Sequence, residues 1–148
     1  MAEADHCRLR VAVVQMDCEL DDRSANLEKA FHFVGQAVEE GAKLIVLPEL
    51  FATGYRTEET DGALAEKIPG PTTRALLGIC REKKVFIVGC TIEKAAGGVL
   101  YDTAFLVGPH RYLGKYRKIH LWKGEEKRFA RGTELQPIRT PIAVIGLQ

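Results

Sequence analysis

The sequence lacks several features that would assign a function class at once. Its four cysteines, Cys7, Cys18, Cys80 and Cys90, include no Cys-x-x-Cys pair, and no histidine lies at zinc-ligand spacing from two of them. They are interpreted as reduced, mostly buried thiols of a cytoplasmic protein. No apolar run approaches the ~20 residues of a membrane span, and the polar N-terminus is unlike a secretory signal. The net charge of +1 gives no field for nucleic acid or a membrane surface.

The remaining composition is that of a globular domain. With 148 residues, 46% of them hydrophobic and 28% charged, the chain is long enough to bury a core within one domain. No repeat, low-complexity segment or linker divides it. We therefore expect a flexible N-terminus over residues 1–8 and one domain over residues 9–148.

The hydrophobic pattern predicts an α/β layered fold that opens with strand, helix and strand, the order of a parallel crossover. The AAGG stretch indicates a hairpin turn. The pattern predicts two clear helices for six or seven strands, which is too few to cover the sheet. Part of the fold therefore looks to be missing. The predicted strands cover Leu9–Met16, Lys43–Leu47, Val85–Thr91, Tyr101–Val107 and Ile142–Leu147, and the predicted helices cover Ala25–Glu40 and Thr72–Lys83.

The first candidate for chemistry is Glu49, in LIVLPELFATGY. It follows an apolar strand that Pro48 should end, and ligands of open α/β sheets bind at this edge. A carboxylate desolvated there would be a better base near neutral pH. The alternative is an exposed loop glutamate without a function.

The second candidate is Lys118, in RYLGKYRKIHLW. If the strand continues through this stretch, residues alternate between its two faces. The alternatives are a solvated basic edge strand and a phosphate site, although no glycine-rich cradle accompanies it. The alternation places Tyr112, Tyr116, Lys118 and His120 on one face, and Leu113, Lys115, Arg117 and Ile119 on the other.

A third stretch, GEEKRFARG, carries Glu125 and Glu126 a few residues after Lys118. Either glutamate could pair with Lys118 or with the cations that follow. Taken alone, this stretch is typical of an ordinary charged loop.

Taken together and in order, these stretches resemble the nitrilase, or carbon–nitrogen hydrolase, superfamily. The resemblance covers the chain from Leu9 to Gln148 and resides in LPELFATGY, in YRKIHLW, in a glutamate followed by Phe129 and Gly132, and in PIAVIGLQ. VAVVQM and GVLYDTAFLVG also look like strands of the family. The resemblance implies the N-terminal half of a nitrilase-like four-layer α-β-β-α sandwich.

The resemblance also implies roles for three residues. Glu49 would be the general base, Lys118 would stabilise the oxyanion, and Glu125 would support the lysine and the substrate. The strand matching PIAVIGLQ leads into the catalytic cysteine in this family, and none of the four cysteines matches its motif. The nucleophile is therefore expected beyond this chain, and the chain by itself is expected to be inactive.

What the resemblance implies beyond the site is a small-molecule substrate, an amide or N-carbamoyl compound in preference to a nitrile. No cofactor and no metal are implied, nor any nucleic-acid or membrane partner, and the full-length protein is expected to be a homo-oligomer. Two other interpretations stay open: a catalytically inactive binding or interaction domain of the same fold, and nucleic-acid binding through RYLGKYRK, which the low net charge disfavours.

Overall fold

The computed structural model describes residues 8–55 and 60–148. The predicted flexible N-terminus lies outside these residues except for Arg8, as do Cys7 and part of the predicted turn-rich segment after Phe51. The helices are α1 (Arg23–Glu39), α2 (Asp61–Leu64) and α3 (Pro71–Lys83). Among the described residues, no helix is long and apolar enough to cross a membrane.

Local chemistry sets the ends of the two long helices close to the predicted positions. The Asp22 side chain caps α1 by accepting a hydrogen bond from the Ala25 N–H at 3.0 Å. Gly41 follows the helix in the left-handed region, at φ +82°, and ends it. Pro71 occupies the first position of α3, where its missing N–H removes no helical hydrogen bond.

The main sheet has five strands in sequence order. They are β1 (Val11–Val13), β2 (Leu44–Val46), β3 (Phe86–Lys94), β4 (Leu100–Val107) and β5 (Tyr112–Arg117). Strand β1 pairs parallel with β2, and β2 pairs parallel with β3, whereas β3–β4 and β4–β5 are antiparallel. The parallel β1–β2 pair and the hairpin at AAGG confirm the prediction.

The two faces of this sheet are covered differently. On one face, α1 and α3 pack Val34 and Leu76 against Ile45 and Phe105. On the other face, the C-terminal segment packs against the sheet in a second apolar cluster. That cluster contains Leu44, Phe86, Leu106, Tyr116, Ile145 and Leu147.

Two strand predictions are wrong, the first in its burial and the second in its length. Val11 and Val13 of β1 are 48% and 79% exposed, so this strand is not buried on both faces. The terminal strand, predicted over Ile142–Leu147, is reduced to β7 (Val144–Ile145), which pairs antiparallel with β6 (Ile138–Arg139) outside the main sheet. Its apolar residues belong to a segment that lies on the sheet instead of extending it.

The predicted alternation along β5 is correct at one end of the strand and wrong at the other. The pairing of β4 with β5 shifts register between Leu106 and Val107, and such a bulge exchanges the faces of the residues beyond it. Tyr112 therefore packs on the helix-covered face, and Leu113 joins Tyr116 on the opposite face. The sequence carries no signal for this irregularity.

Candidate active site

The Lys118 backbone is anchored just past the end of β5. Its N–H donates to the Asp102 carbonyl at 2.9 Å, and its own carbonyl accepts from the Gly132 N–H at 2.9 Å. The first bond continues the pairing with β4 by one residue, and the second attaches the returning loop. Together these two hydrogen bonds fix the position of the Lys118 backbone and hence of the base of its side chain.

The ammonium group of Lys118 lies among three carboxyl groups. Its Nζ is 2.7 Å from Glu49 Oε1, 2.9 Å from Glu125 Oε1 and 3.6 Å from Asp102 Oδ2. Glu49 and Lys118 are 69 positions apart in the chain, so the fold alone brings them together. The two side chains converge at one end of the sheet.

Glu125 is held as an ionised carboxylate by its hydrogen-bond donors. Its Oε1 accepts from the Tyr55 hydroxyl at 3.0 Å and its Oε2 from the Trp122 N–H at 2.8 Å. Burial alone would raise the pKa of Glu125, but the hydrogen bonds from Lys118, Trp122 and Tyr55 outweigh it and lower the pKa. The Glu125 side chain is 2% exposed, whereas that of the neighbouring Glu126 is 48% exposed and pairs with Arg131.

Lys118 keeps its charge because of these partners. Desolvation opposes the charged form, but hydrogen bonds with Glu49 and Glu125 outweigh it and raise the pKa of the lysine. A cation fixed in this way is suited to stabilise negative charge that develops on a bound substrate. Glu49 is its more accessible partner, since the Glu49 side chain is 47% exposed.

A cavity of about 400 Å³ opens beside this cluster, on the sheet face opposite the helices. It is of the size that binds small ligands. Apolar residues of the central strands form most of its wall, and Gln148 borders it. Its lining consists of Val46, Leu47, Glu49, Val88, Gly89, Cys90, Asp102, Ala104, Tyr116, Lys118 and Gln148.

Asp102, a polar residue of this cavity, was missed by the sequence analysis. Asp102 is 2% exposed and accepts a hydrogen bond from the Cys90 thiol at 2.9 Å. Burial, reinforced by Asp102, raises the pKa of Cys90 well above its ordinary value. The thiol is therefore not activated as a nucleophile, because nucleophilic attack requires the thiolate. A polar residue within the apolar run YDTAFLVG was the available signal for Asp102.

A buried ion pair supports the loop that carries Glu125. Arg128 binds Asp61 through two hydrogen bonds of 2.6 and 2.7 Å, and their side chains are 3% and 7% exposed. The Arg128 guanidinium also lies 5.4 Å from the centre of the Tyr55 ring, and Tyr55 donates to Glu125. The sequence analysis missed this pair, because nothing in the sequence relates two residues that are 67 positions apart.

The structure separates the remaining candidates from the cavity. Lys115 and Arg117 both bind Glu93, with Arg117 donating at 2.7 and 2.9 Å, so they point away from Lys118 as predicted. His120, placed beside Lys118 by alternation, is exposed outside the cavity lining, because β5 ends at Arg117. Within the basic stretch, Lys115 and Arg117 thus pair with Glu93, whereas Lys118 lies at the cavity.

The carboxyl cluster could also be considered as a cation site. Oxygens of Glu49, Asp102 and Glu125 lie within 4.8 Å of one another. The Lys118 ammonium, however, is within 3.6 Å of all three carboxyl groups. The ammonium group therefore already lies where a metal ion would have to bind.

Gly132→Ala should displace Lys118 and destabilise the fold. A Cβ at Gly132 would lie 2.0 Å from the Arg117 carbonyl oxygen, a backbone atom that cannot rotate away. We expect the free energy of unfolding to fall by roughly 1–3 kcal/mol or more, measured by urea denaturation. Gly78→Ala in α3 is the control, since no atom lies within 4 Å of its added Cβ, and it should stabilise by about 0.5–1 kcal/mol. Equal effects of both substitutions would contradict the close approach at Gly132.

The comparison with known proteins shows the family to which the chain belongs. Residues 10–148 match the family described as carbon–nitrogen hydrolase. The chain belongs to this family and, with it, to the nitrilase superfamily.

Individual relatives also support membership of this family. The chain is 45% identical over 127 residues to a nitrilase of Pyrococcus abyssi, covering 84% of this chain and 48% of the relative. It is 32% identical over 148 residues to the human omega-amidase NIT2, covering 93% of this chain and 53% of that protein. The chain thus spans about half the length of the curated relatives it matches.

Solved structures agree with the predicted fold class. Nit3 of Saccharomyces cerevisiae, a member of branch 10 of the nitrilase superfamily, superposes with a TM-score of 0.82 at 27% identity, covering 93% of this chain and 54% of that chain. An amidase from Nesterenkonia sp. gives the same TM-score at 24% identity, with the same coverages, and supports the fold alone. The mixed α/β architecture with a nitrilase-superfamily fold is therefore confirmed.

Proposed function

We propose that this chain supplies the base and the oxyanion-stabilising cation of an enzyme that hydrolyses small amides or N-carbamoyl compounds. The observation that carries the proposal is the position of Lys118 Nζ, at 2.7 Å from Glu49 and 2.9 Å from Glu125 beside the cavity. The names of the relatives, nitrilase and omega-amidase, support carbon–nitrogen bonds as the target. An amide or carbamoyl group is preferred to a nitrile.

In this mechanism Glu49 takes the proton from a cysteine thiol. The thiolate attacks the carbonyl carbon, and the carbonyl oxygen becomes an oxyanion that the Lys118 ammonium stabilises. The carbon–nitrogen bond then breaks, and the amine leaves with the proton that Glu49 returns. Water, deprotonated by Glu49, hydrolyses the resulting thioester and regenerates the thiol. Glu125 holds Lys118 in place throughout.

The nucleophile is assigned to the part of the relatives' length that this chain does not cover. The four cysteines of the chain do not match the motif of the family, and Cys90, which lies at the cavity, is buried with a raised pKa. Cys18 and Cys80 are not among the residues that line the cavity. The three described cysteines are free, which supports a reducing, cytoplasmic setting.

Ammonia release from a panel of short ω-amides, N-carbamoyl amino acids and nitriles tests the proposal. The protein continued beyond Gln148 to the length of its relatives should turn over an amide or carbamoyl compound, whereas the 148-residue chain should show no sustained turnover. Turnover by the short chain that survives Cys18→Ala, Cys80→Ala and Cys90→Ala would show the mechanism to be wrong. A longer protein that binds but never hydrolyses these compounds would favour the inactive binding domain.

The full-length protein is proposed to be a homo-oligomer. Exposed apolar side chains support association, among them Val13 at 79% and Trp122 at 68% exposure. Light scattering on the full-length protein measures the assembly, and a monomer at micromolar concentration would contradict it.

A further inference from the structure

The cluster around Lys118 contains more carboxyl groups than the lysine can neutralise. Oxygens of Glu49, Asp102 and Glu125 lie within 4.8 Å of one another, and Lys118 is the cation among them. If all three groups were ionised, two negative charges would remain uncompensated in a partly buried site. Like charges at this spacing raise each other's proton affinity, so one group is expected to retain a proton.

Burial and hydrogen bonding distinguish the three groups. Glu125 and Asp102 are equally buried, each with a side chain 2% exposed. Glu125 accepts hydrogen bonds from Lys118, Tyr55 and the Trp122 N–H. Those donors favour its ionised form.

Asp102 has no comparable set of donors. Its Oδ1 accepts one bond, from the Cys90 thiol, which is a weak donor. Its Oδ2 is buried without a hydrogen-bond partner among the described residues, and Lys118 Nζ is 3.6 Å away. An ionised carboxylate in such surroundings would be strongly destabilised. A protonated Oδ2 would instead be a donor facing the cavity.

We propose that Asp102 is a positioning residue that carries the proton of this cluster and is its neutral carboxylic acid in the resting site. Glu49 and Glu125 are then the two ionised groups that hold Lys118. The groups facing Asp102 are Glu49 after β2, Cys90 on β3, Lys118 after β5 and Glu125 in the returning loop. The catalytic role of Asp102 rests on the proposed function. The location of the proton is independent of that function.

The catalytic consequence concerns the base. An ionised Asp102 would place a second negative charge beside Glu49 and compete with it for the Lys118 ammonium. A neutral Asp102 leaves Lys118 paired with Glu49 and Glu125. Burial, with a contribution from the neighbouring charge of Glu49, raises the pKa of Asp102 to about 7, which agrees with the geometric argument.

The test is a carbon-13 titration of the carboxyl groups in the labelled 148-residue chain, with the Asp102 signal assigned by Asp102→Asn and by through-bond correlation to its Cβ. The Asp102 signal should titrate near pH 7. In Glu49→Gln its midpoint should fall by about one pH unit, because the neighbouring negative charge is removed. Glu126→Gln, an isosteric change at an exposed glutamate, should leave the midpoint unchanged.

A midpoint near the ordinary value of about 4 for aspartic acid would overturn the inference. Equal shifts of the midpoint in Glu49→Gln and Glu126→Gln would also overturn it, because a purely structural role of Asp102 predicts equal shifts. The titration requires no turnover, so it succeeds or fails independently of the proposed function. Absence of amide hydrolysis in the longer protein would overturn that function and leave the proton assignment intact.

Discussion

Lys118→Met in the full-length protein is expected to lower the turnover number for its amide or carbamoyl substrate by roughly 10²–10³-fold, with a much smaller change in KM. The Nζ of Lys118 is positioned beside the cavity by Glu49 at 2.7 Å and Glu125 at 2.9 Å. Its positive charge interacts more strongly with a full oxyanion than with a neutral carbonyl oxygen. Removing it therefore destabilises the transition state more than the bound substrate.

Steady-state kinetics with the amide panel check this prediction. Lys123→Met is the matched control, because Lys123 is an exposed lysine of the same segment and outside the cavity lining. Thermal unfolding of both variants separates a catalytic loss from a folding loss, since Lys118→Met also removes a partner of the buried Glu125. Lys118→Arg keeps the charge and provides a second variant if the methionine variant does not fold. Equal kinetics for Lys118→Met and Lys123→Met would remove Lys118 from the mechanism.

Asp61→Asn is expected to lower the free energy of unfolding by about 3–5 kcal/mol. Asp61 and Arg128 are bound through two hydrogen bonds, and their side chains are 7% and 3% exposed. The substitution would leave the Arg128 charge buried without its counter-charge. Because Arg128 also contacts Tyr55 and lies three residues after Glu125, loss of the pair should loosen the loop that holds Lys118.

Urea denaturation measures this effect, and two further variants test its cause. The double variant Asp61→Leu with Arg128→Met should recover much of the loss, since it removes both charges together. Glu126→Gln breaks the pair of Glu126 with Arg131, whose side chains are 48% and 59% exposed, and should change stability by no more than about 1 kcal/mol. A loss in Asp61→Asn no larger than that of Glu126→Gln would show that burial does not strengthen the first pair.

The elements that the sequence predicts well are those whose pattern is local. Both long helices appear within two residues of their predicted bounds, because a capping Asp22, a helix-starting Pro71 and a terminating Gly41 act on neighbouring residues. The strands β2, β3 and β4 follow from apolar runs bounded by turns. Where the pattern depends on distant packing, as in β1 and the C-terminal segment, the predicted length and burial are wrong.

The residues of the candidate site divide in the same way, into those that the sequence predicts and those that it misses. Glu49, Lys118 and Glu125 could be selected from the sequence, because each belongs to a stretch that resembles a motif of the family. Asp102, Tyr55 and the pair of Asp61 with Arg128 were not selected, because nothing in their own segments indicates which partners they bind. Their importance depends on partners 12 to 70 positions away in the chain, from Cys90–Asp102 to Tyr55–Glu125.

The sequence by itself therefore determined the α/β class, the family resemblance and the three residues expected to do the chemistry. The tertiary structure decided which side chains meet: it placed the Lys118 ammonium within 3.6 Å of three carboxyl groups, and it directed Lys115 and Arg117 to Glu93. Local periodicity specifies which face of a strand a residue occupies. The charge and protonation of a group depend on burial and on neighbours from other strands, and those exist once the sheet has formed.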